Sequence, residues 1–477
     1  MRNLTLLTDL YQLTMMYGYY KSGMTDEIGT FDMFYRKQSD TMPHAVFAGL
    51  AQLIDYIQNL HFADGDIDYL RRLNLFDEGF LESLRNFKFT CDVFAVPEGT
   101  VVFPSEPLIR VTGPLVQAQL VETALLNIIN HQTLIASKAR RVVESAAGGV
   151  TLEFGLRRAQ GPDAGLYGAR AAMIGGFDAT SDVLAGQMFD IPVMGTHAHS
   201  WVMSFPDEIT SFRAYAEHFP DSCTLLVDTY DTLGSGVPNA ITVFEELRAR
   251  GHEGVGIRLD SGDLAYLSRE ARRRLDEAGF PNVKICASGD LDETLIRDLK
   301  LQDARIDIWG VGTKLITSMD CPALGGVYKL SAIDTEGNVQ PKLKISDNPE
   351  KVTNPGIKKL MRIYDKSNGM AIADLIALDI EQFDEKEPLT IFDPINTWKQ
   401  MTLTDYHIKP LQVPIFEQGK LVYQSPTLTE IREYTKAEIG TFWDQYKRLL
   451  NPHVYKVDLS DKLWTLKQRM LSQRGRK

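Results

Sequence analysis

Short apolar runs recur through the middle of the chain, at 150–154, 173–175, 191–194, 224–227, 254–258, 283–287 and 306–311, with helix-like stretches between them. A spacing of roughly 20–30 residues is the length of one strand plus a returning helix, and that alternation predicts a parallel sheet. Seven or so units suggest a barrel, complete or incomplete. Loops leaving the C-terminal ends of such strands carry the chemistry of α/β proteins. The residues least suited to a core gather at those ends.

The flanks read differently. Thr8 or Asp9 caps a first helix, 29–36 alternates with period 2, and 45–60 and 67–86 are amphipathic helices. Residues 93–111 are short strands broken by Pro97, Gly99, Pro104 and Pro107, and 115–147 reads as one long helix or two. After about residue 325 the alternation stops, and strands follow at 327–333, 339–343, 359–364 and 409–423. The β segments on either side of the barrel can complete one layer. The expected organisation is therefore an N-terminal sandwich part (1–113), a (β/α) barrel (114–325), a β-rich return to the sandwich (326–430) and a helical tail (431–477).

A net charge of −12 disfavours nonspecific binding to nucleic acid or to an anionic membrane. Cys91, Cys223, Cys286 and Cys321 are far apart with no CxxC spacing, which predicts reduced thiols, a cytoplasmic setting and no structural zinc. No apolar run approaches the roughly 20 residues that span a bilayer.

Six strand ends carry motifs. At 153–158 (EFGLRR), Phe154 beside Arg157 and Arg158 offers a flat ring and guanidinium groups, a combination suited to an aromatic anion; the bland alternative is a solvated pair. At 195–201 (GTHAHSW) two of nine histidines lie two apart, as a metal pair or as one reactive histidine with a bystander. Asp228 and Asp231 follow the next strand, and Arg258, Asp260 and Asp263 the one after; such carboxylates suit Mg²⁺ or sugar hydroxyls, although one of Asp260 and Asp263 can be a helix cap. The turns 287–293 (ASGDLDE) and 309–314 (WGVGTK) bring small residues to helix starts, where backbone N–H groups can meet a phosphate. Together they suit transfer chemistry on a phosphorylated sugar with an anionic aromatic partner.

In this order, TDLYQLTM, EFGLRRAQGPDAG, GTHAHSW, VDTYDT, GIRLDSGDL, ASGDLDE, GVGT, GGVYKL and NPGIKK resemble the nicotinate phosphoribosyltransferase family, from Leu7 to about Lys359. The resemblance implies an irregular, incomplete barrel of the type II phosphoribosyltransferase kind with a discontinuous α/β sandwich, and a cytoplasmic homodimer with shared active sites. It implies a ligase-type reaction of nicotinate with phosphoribosyl pyrophosphate, giving nicotinate mononucleotide and pyrophosphate in NAD salvage, with ATP as co-substrate. Phe154 and a neighbouring subunit's Tyr11 would sandwich the pyridine. Arg258 and Thr196 would hold the nicotinate end, with Arg157 nearby. Asp260, Gly289 and Asp290 would bind ribose, and Gly312 and Thr313 the 5′-phosphate. His199 matches the phosphohistidine. Asp228 and Asp231 would orient it or help hold Mg²⁺. The related nicotinamide enzymes carry an Asp where this chain has Ser181, or Asp182 after a one-residue shift; a serine there favours the acid. Nicotinamide and quinolinate phosphoribosyltransferases are the alternatives.

Overall fold

The computed structural model describes residues 3–36, 42–348 and 351–474, so the last three residues of the expected tail lie outside them. The chain folds into two compact units. One is built from both chain ends, Met1–Leu134 with Ala323–Lys477, and the other is the continuous stretch Ile135–Pro322.

The two-ended unit holds a seven-stranded sheet in the order Asn338–Pro341, Gly326–Thr335, Ile28–Tyr35, Ile109–Pro114, Asp92–Ala95, Val413–Glu417, Lys420–Leu421, with every neighbouring pair antiparallel. Its centre is therefore shared between the two ends of the sequence. The period-2 pattern of Ile28–Tyr35 predicts one polar face, yet that strand is buried on both. Its polar residues find internal partners: Thr30 bonds Thr112 at 3.1 Å, and one Asp32 oxygen pairs with buried Lys358 at 2.7 Å. A second sheet joins Lys358–Asp365 to Ala371–Leu378.

Two expected boundaries move. Residues 114–134 group with the sandwich because Leu115, Leu120 and Leu125 are buried there, and the division falls inside the helix Glu122–Ala146. Residues 431–477 are not a separate tail. Ile439, Phe442 and Tyr455 share a core with Val101 and Phe103, and Glu438 reaches buried Arg362 at 2.8 Å.

The continuous unit is a six-stranded parallel sheet: Ala179–Thr180, Val150–Glu153, Ile308–Val311, Lys284–Ala287, Gly256–Leu259, Thr224–Leu226. The sheet does not close by strand pairing. Beyond Thr180 only a single bridge to Val193 is made, so 191–194 is a bridge rather than a strand. The run at 173–175, read as a strand, is the end of the helix Pro162–Ile174 and the residue after it. Its small residues suit a helix packed closely on neighbours: a Cβ on Gly175 would meet Ala136 and Ala139 at 2.5 Å. Among the described residues no helix is long and apolar enough to cross a membrane. All four cysteines are free and buried.

Candidate active site

The C-terminal ends of the six parallel strands bring the motif residues together. Counted in chain order, from Val150–Glu153 as the first to Ile308–Val311 as the sixth, the fourth strand, Gly256–Leu259, delivers Arg258, whose guanidinium reaches in three directions. Nε donates to Ser288 Oγ at 2.8 Å, one terminal nitrogen to Thr196 Oγ1 at 2.9 Å and the other to Asp260 Oδ1 at 2.8 Å. Its Cζ lies 5.6 Å from the centre of the Phe154 ring. The ring rests on the sixth strand where there is no side chain, since a Cβ on Gly310 would come within 2.7 Å of it. The result is an aromatic shelf beside a fixed, partly exposed cation, a geometry that accepts a flat ring bearing a carboxylate.

Asp260 sits beside this cation. Burial pushes its carboxyl up, but the Ser288 hydroxyl and the Arg258 guanidinium outweigh that and hold it below the usual range. A Cβ on Gly289 (φ +95°) would run into the Asp260 carbonyl, so only glycine fits that turn. Asp290 follows, also left-handed at φ 48° and exposed. On the sixth strand's exit, Gly312 caps the short helix Thr313–Ile316. The first N–H groups of a helix have no partner within it and can receive a phosphate oxygen. Lys314 and Asp292 pair at 2.7 Å and tie the two glycine turns together.

The two histidines of GTHAHSW separate completely. His197 lies in extended chain and is buried, its ring against Tyr215 (4.7 Å) and its Nε2 accepting the Leu226 N–H at 3.2 Å. Leu226 ends the edge strand, so an imidazole replaces the missing strand partner at the open edge of the sheet. Burial pushes the His197 pKa down to about 4, with Arg258 adding to the drop. Such a histidine stays neutral while the unfolded chain takes up a proton near pH 6.5. Stability conferred this way is complete above pH 6.5 and is lost as pH falls to about 4, roughly 3 kcal/mol in all. His197→Gln keeps an acceptor but does not titrate. Urea denaturation at pH 7 and pH 4.5 should show a shallower loss for the variant than for the wild type.

His199 opens the helix His199–Met203 and is 39% exposed at its side chain. Its Nε2 bonds Asp228 Oδ1 at 3.1 Å. Asp228, 1% exposed, accepts on its other oxygen from the Asp260 N–H (3.0 Å) and the Ser261 hydroxyl (2.6 Å). A carboxylate so held fixes the imidazole orientation and keeps the proton on Nε2, leaving Nδ1 with a free lone pair.

Other expected site residues have different roles. Asp231 caps the turn Thr232–Gly236, accepting from Gly234 N–H at 2.8 Å, and both Asp228 oxygens are occupied by protein groups. Among the described residues no group of three or more His, Cys, Asp or Glu is placed to hold a metal ion. A resident Mg²⁺ on Asp228 and Asp231 therefore does not fit this arrangement. Asp263 caps the helix Leu264–Glu277, which leaves Asp260 to the site. Asp182 is also a cap, its Oδ1 accepting from Leu184 and Ala185 at 3.0 and 3.1 Å, and Ser181 is the half-buried polar residue directly after the second strand. The side chains of Arg157 and Arg158 are exposed on a 3₁₀ turn and make no hydrogen bond or ion pair among the described residues. Tyr11 belongs to the other unit, half-exposed on the helix Leu10–Lys21. Ser288 and Glu153 are two members of the constellation to which the motifs alone assign no role. Each stood inside a quoted motif, but only the folded neighbours reveal its partner.

Known proteins carry the same plan. The nicotinate phosphoribosyltransferase N-terminal domain model matches residues 6–130, the family model 150–371 and the C-terminal domain model 357–467. The nicotinate phosphoribosyltransferase of Bacillus subtilis is 50% identical over 471 residues, covering 99% of this chain and 96% of that protein. That of Caenorhabditis elegans is 38% identical, covering 96% and 92%. The crystal structure of human nicotinic acid phosphoribosyltransferase superposes with a TM-score of 0.87 at 31% identity, covering 97% and 99%. With these matches running almost end to end, the chain belongs to the nicotinate phosphoribosyltransferase family.

Proposed function

We propose that the protein joins nicotinate to phosphoribosyl pyrophosphate, forming nicotinate mononucleotide and pyrophosphate, and that it drives this first step of NAD salvage with ATP through a phosphohistidine at His199. The observation that carries the reading is the Arg258 clamp: a guanidinium oriented by Thr196, Asp260 and Ser288 beside the Phe154 ring. Nicotinate lies along the ring with its carboxylate toward Arg258 and its nitrogen toward the sugar. The ring nitrogen forms the bond to C1′ as the C1′–O bond to pyrophosphate breaks. Asp260, Gly289 and Asp290 take the ribose hydroxyls, and the turn at Gly312 and Thr313 takes the 5′-phosphate. Positioning and electrostatics supply the acceleration. Magnesium carried by the pyrophosphate would neutralise the leaving group's charge.

His199 works in a separate step. Its Nδ1 attacks the γ-phosphorus of ATP, the bond to ADP breaks, and the phosphoryl group adds up to about −2 charge at the mouth. Water later cleaves the N–P bond and resets the site. Half-exposed Leu10, Tyr11 and Met15 suit burial against a second copy, in keeping with a dimer whose partner lends Tyr11.

The Ser181 hydroxyl donates to the Glu153 carbonyl over a long 3.3 Å and can turn to a better acceptor such as a carboxylate. Chromatographic product analysis with nicotinate or nicotinamide, phosphoribosyl pyrophosphate and ATP tests the reading. The expected outcome is nicotinate mononucleotide with one pyrophosphate per turnover and a kcat/KM at least about 10²-fold lower for the amide. No mononucleotide, or a preference for the amide, would refute it.

A further inference from the structure

Glu153 is the last residue of the first strand and is 1% exposed. Its side chain holds two other elements. Oε1 accepts the N–H of Gly155, in the turn just past Phe154, and Oε2 accepts the Thr180 hydroxyl at 2.6 Å. Its main-chain carbonyl accepts the Ser181 N–H at 3.0 Å and the Ser181 hydroxyl at 3.3 Å. Thr180 Oγ1 in turn accepts the Asp182 N–H at 3.0 Å. No side chain can substitute for this arrangement at Gly155, where a Cβ would fall 2.5 Å from Ile316 and 2.8 Å from the Glu153 carboxylate.

We propose that Glu153 is a positioning residue of the nicotinate pocket, its carboxylate fixing the Phe154 ring and the Ser181 hydroxyl at the spacing the pyridine acid needs. The two groups expected to meet opposite features of the substrate, its ring face and its acid, come from different strands. The carboxylate joins their immediate neighbours, Gly155 after Phe154 and Thr180 before Ser181, alongside the backbone pairing of the two strands. Burial pushes the Glu153 carboxyl above its usual range and Asp182 adds to that, while the Thr180 and Gly155 donors hold it back. A buried charge is retained at such a cost only where its donors are in place. Side-chain placement to within about half an ångström is what separates a productive pocket from a loose one.

The proposal rests on the transferase reading, and the test separates the two. Glu153→Gln keeps the shape but presents an amide to one of two donors. Thr180→Val removes the other end of the strut without touching Glu153. Steady-state kinetics of wild type and both variants, varying each substrate in turn, should show KM for nicotinate rising about tenfold in each variant. KM for phosphoribosyl pyrophosphate should stay within about twofold, and the nicotinate-over-nicotinamide ratio should fall. Thermal melting run in parallel reports any general loosening. Unchanged nicotinate KM in both variants would overturn the proposal, as would both KM values rising together with a lowered melting temperature. A wild type that forms no mononucleotide would instead refute the transferase reading itself.

Discussion

Asp228→Asn is expected to slow phosphoryl transfer from ATP to His199 by about 10²–10⁴-fold, the range set by wrong-tautomer substitutions of histidine-orienting carboxylates. The direction follows from which atoms are already committed. On the side away from the histidine, Asp228 accepts from the Asp260 N–H and the Ser261 hydroxyl. Both are donors, so an asparagine must keep its carbonyl oxygen there. Its NH₂ then faces His199 Nε2, and two N–H groups cannot point at each other. The imidazole proton moves to Nδ1, removing the lone pair that attacks phosphorus. Little else changes, because the substitution conserves shape. Transfer of ribose to nicotinate without ATP should persist, since Arg258, Phe154 and the phosphate turns stay intact. Single-turnover labelling with γ-labelled ATP checks the effect. Rates within about threefold of wild type would show that Asp228 does not set the tautomer.

Arg258→Ala is expected to lower kcat/KM for nicotinate by about 10³-fold, near 4 kcal/mol, through loss of the charge-assisted bond to the substrate. The loss should exceed that of a single contact, because the same guanidinium organises Thr196, Asp260 and Ser288. Arg258→Lys distinguishes charge from geometry. A lysine restores the positive charge but cannot reach three partners in one plane, so it should recover no more than about tenfold of the loss. Asp260, deprived of the guanidinium, should titrate higher in the alanine variant, moving the acidic limb of the kcat/KM profile upward. Initial rates across pH 5–8 with both variants measure all of this.

How far the sequence anticipates this site depends on what kind of signal carries each residue. Strand ends are local signals: an apolar run followed by EFGLRR, THAH or RLDSGD marks where a parallel strand stops, and those positions converge in space because parallel strands share one C-terminal face. Arg258, Asp260, Phe154, Thr196 and His199 were legible for that reason. Which carboxylate is chemical and which merely caps a helix is not a local signal. Asp182, Asp228, Asp231, Asp260 and Asp263 look alike in sequence, yet three of them are bound to backbone N–H groups of the following turn. The helix ending at Ile174 reads as a strand because GARAAMIGG has no helical amphipathicity and ends on the apolar pair Met173 and Ile174 before two glycines; close packing of small residues leaves no periodic trace. His197 as the partner of an edge strand, and Glu153 as a strut, depend on neighbours nearly 30 residues away. The discontinuity of the sandwich was visible because β text surrounds the barrel, whereas its exact limits depend on burial along the continuous helix Glu122–Ala146.

The claim at the centre of this account is that His199, oriented by Asp228, carries a phosphoryl group from ATP and gives it up as nicotinate is ribosylated. Incubating the protein with γ-³²P-labelled ATP, isolating it, and then adding nicotinate with phosphoribosyl pyrophosphate tests this directly. The account predicts acid-labile label on His199 Nδ1, absent from His199→Ala, discharged only when both substrates are present and matched by nicotinate mononucleotide. Undiminished labelling of His199→Ala, or label that stays on the wild type while both substrates are consumed, would contradict it.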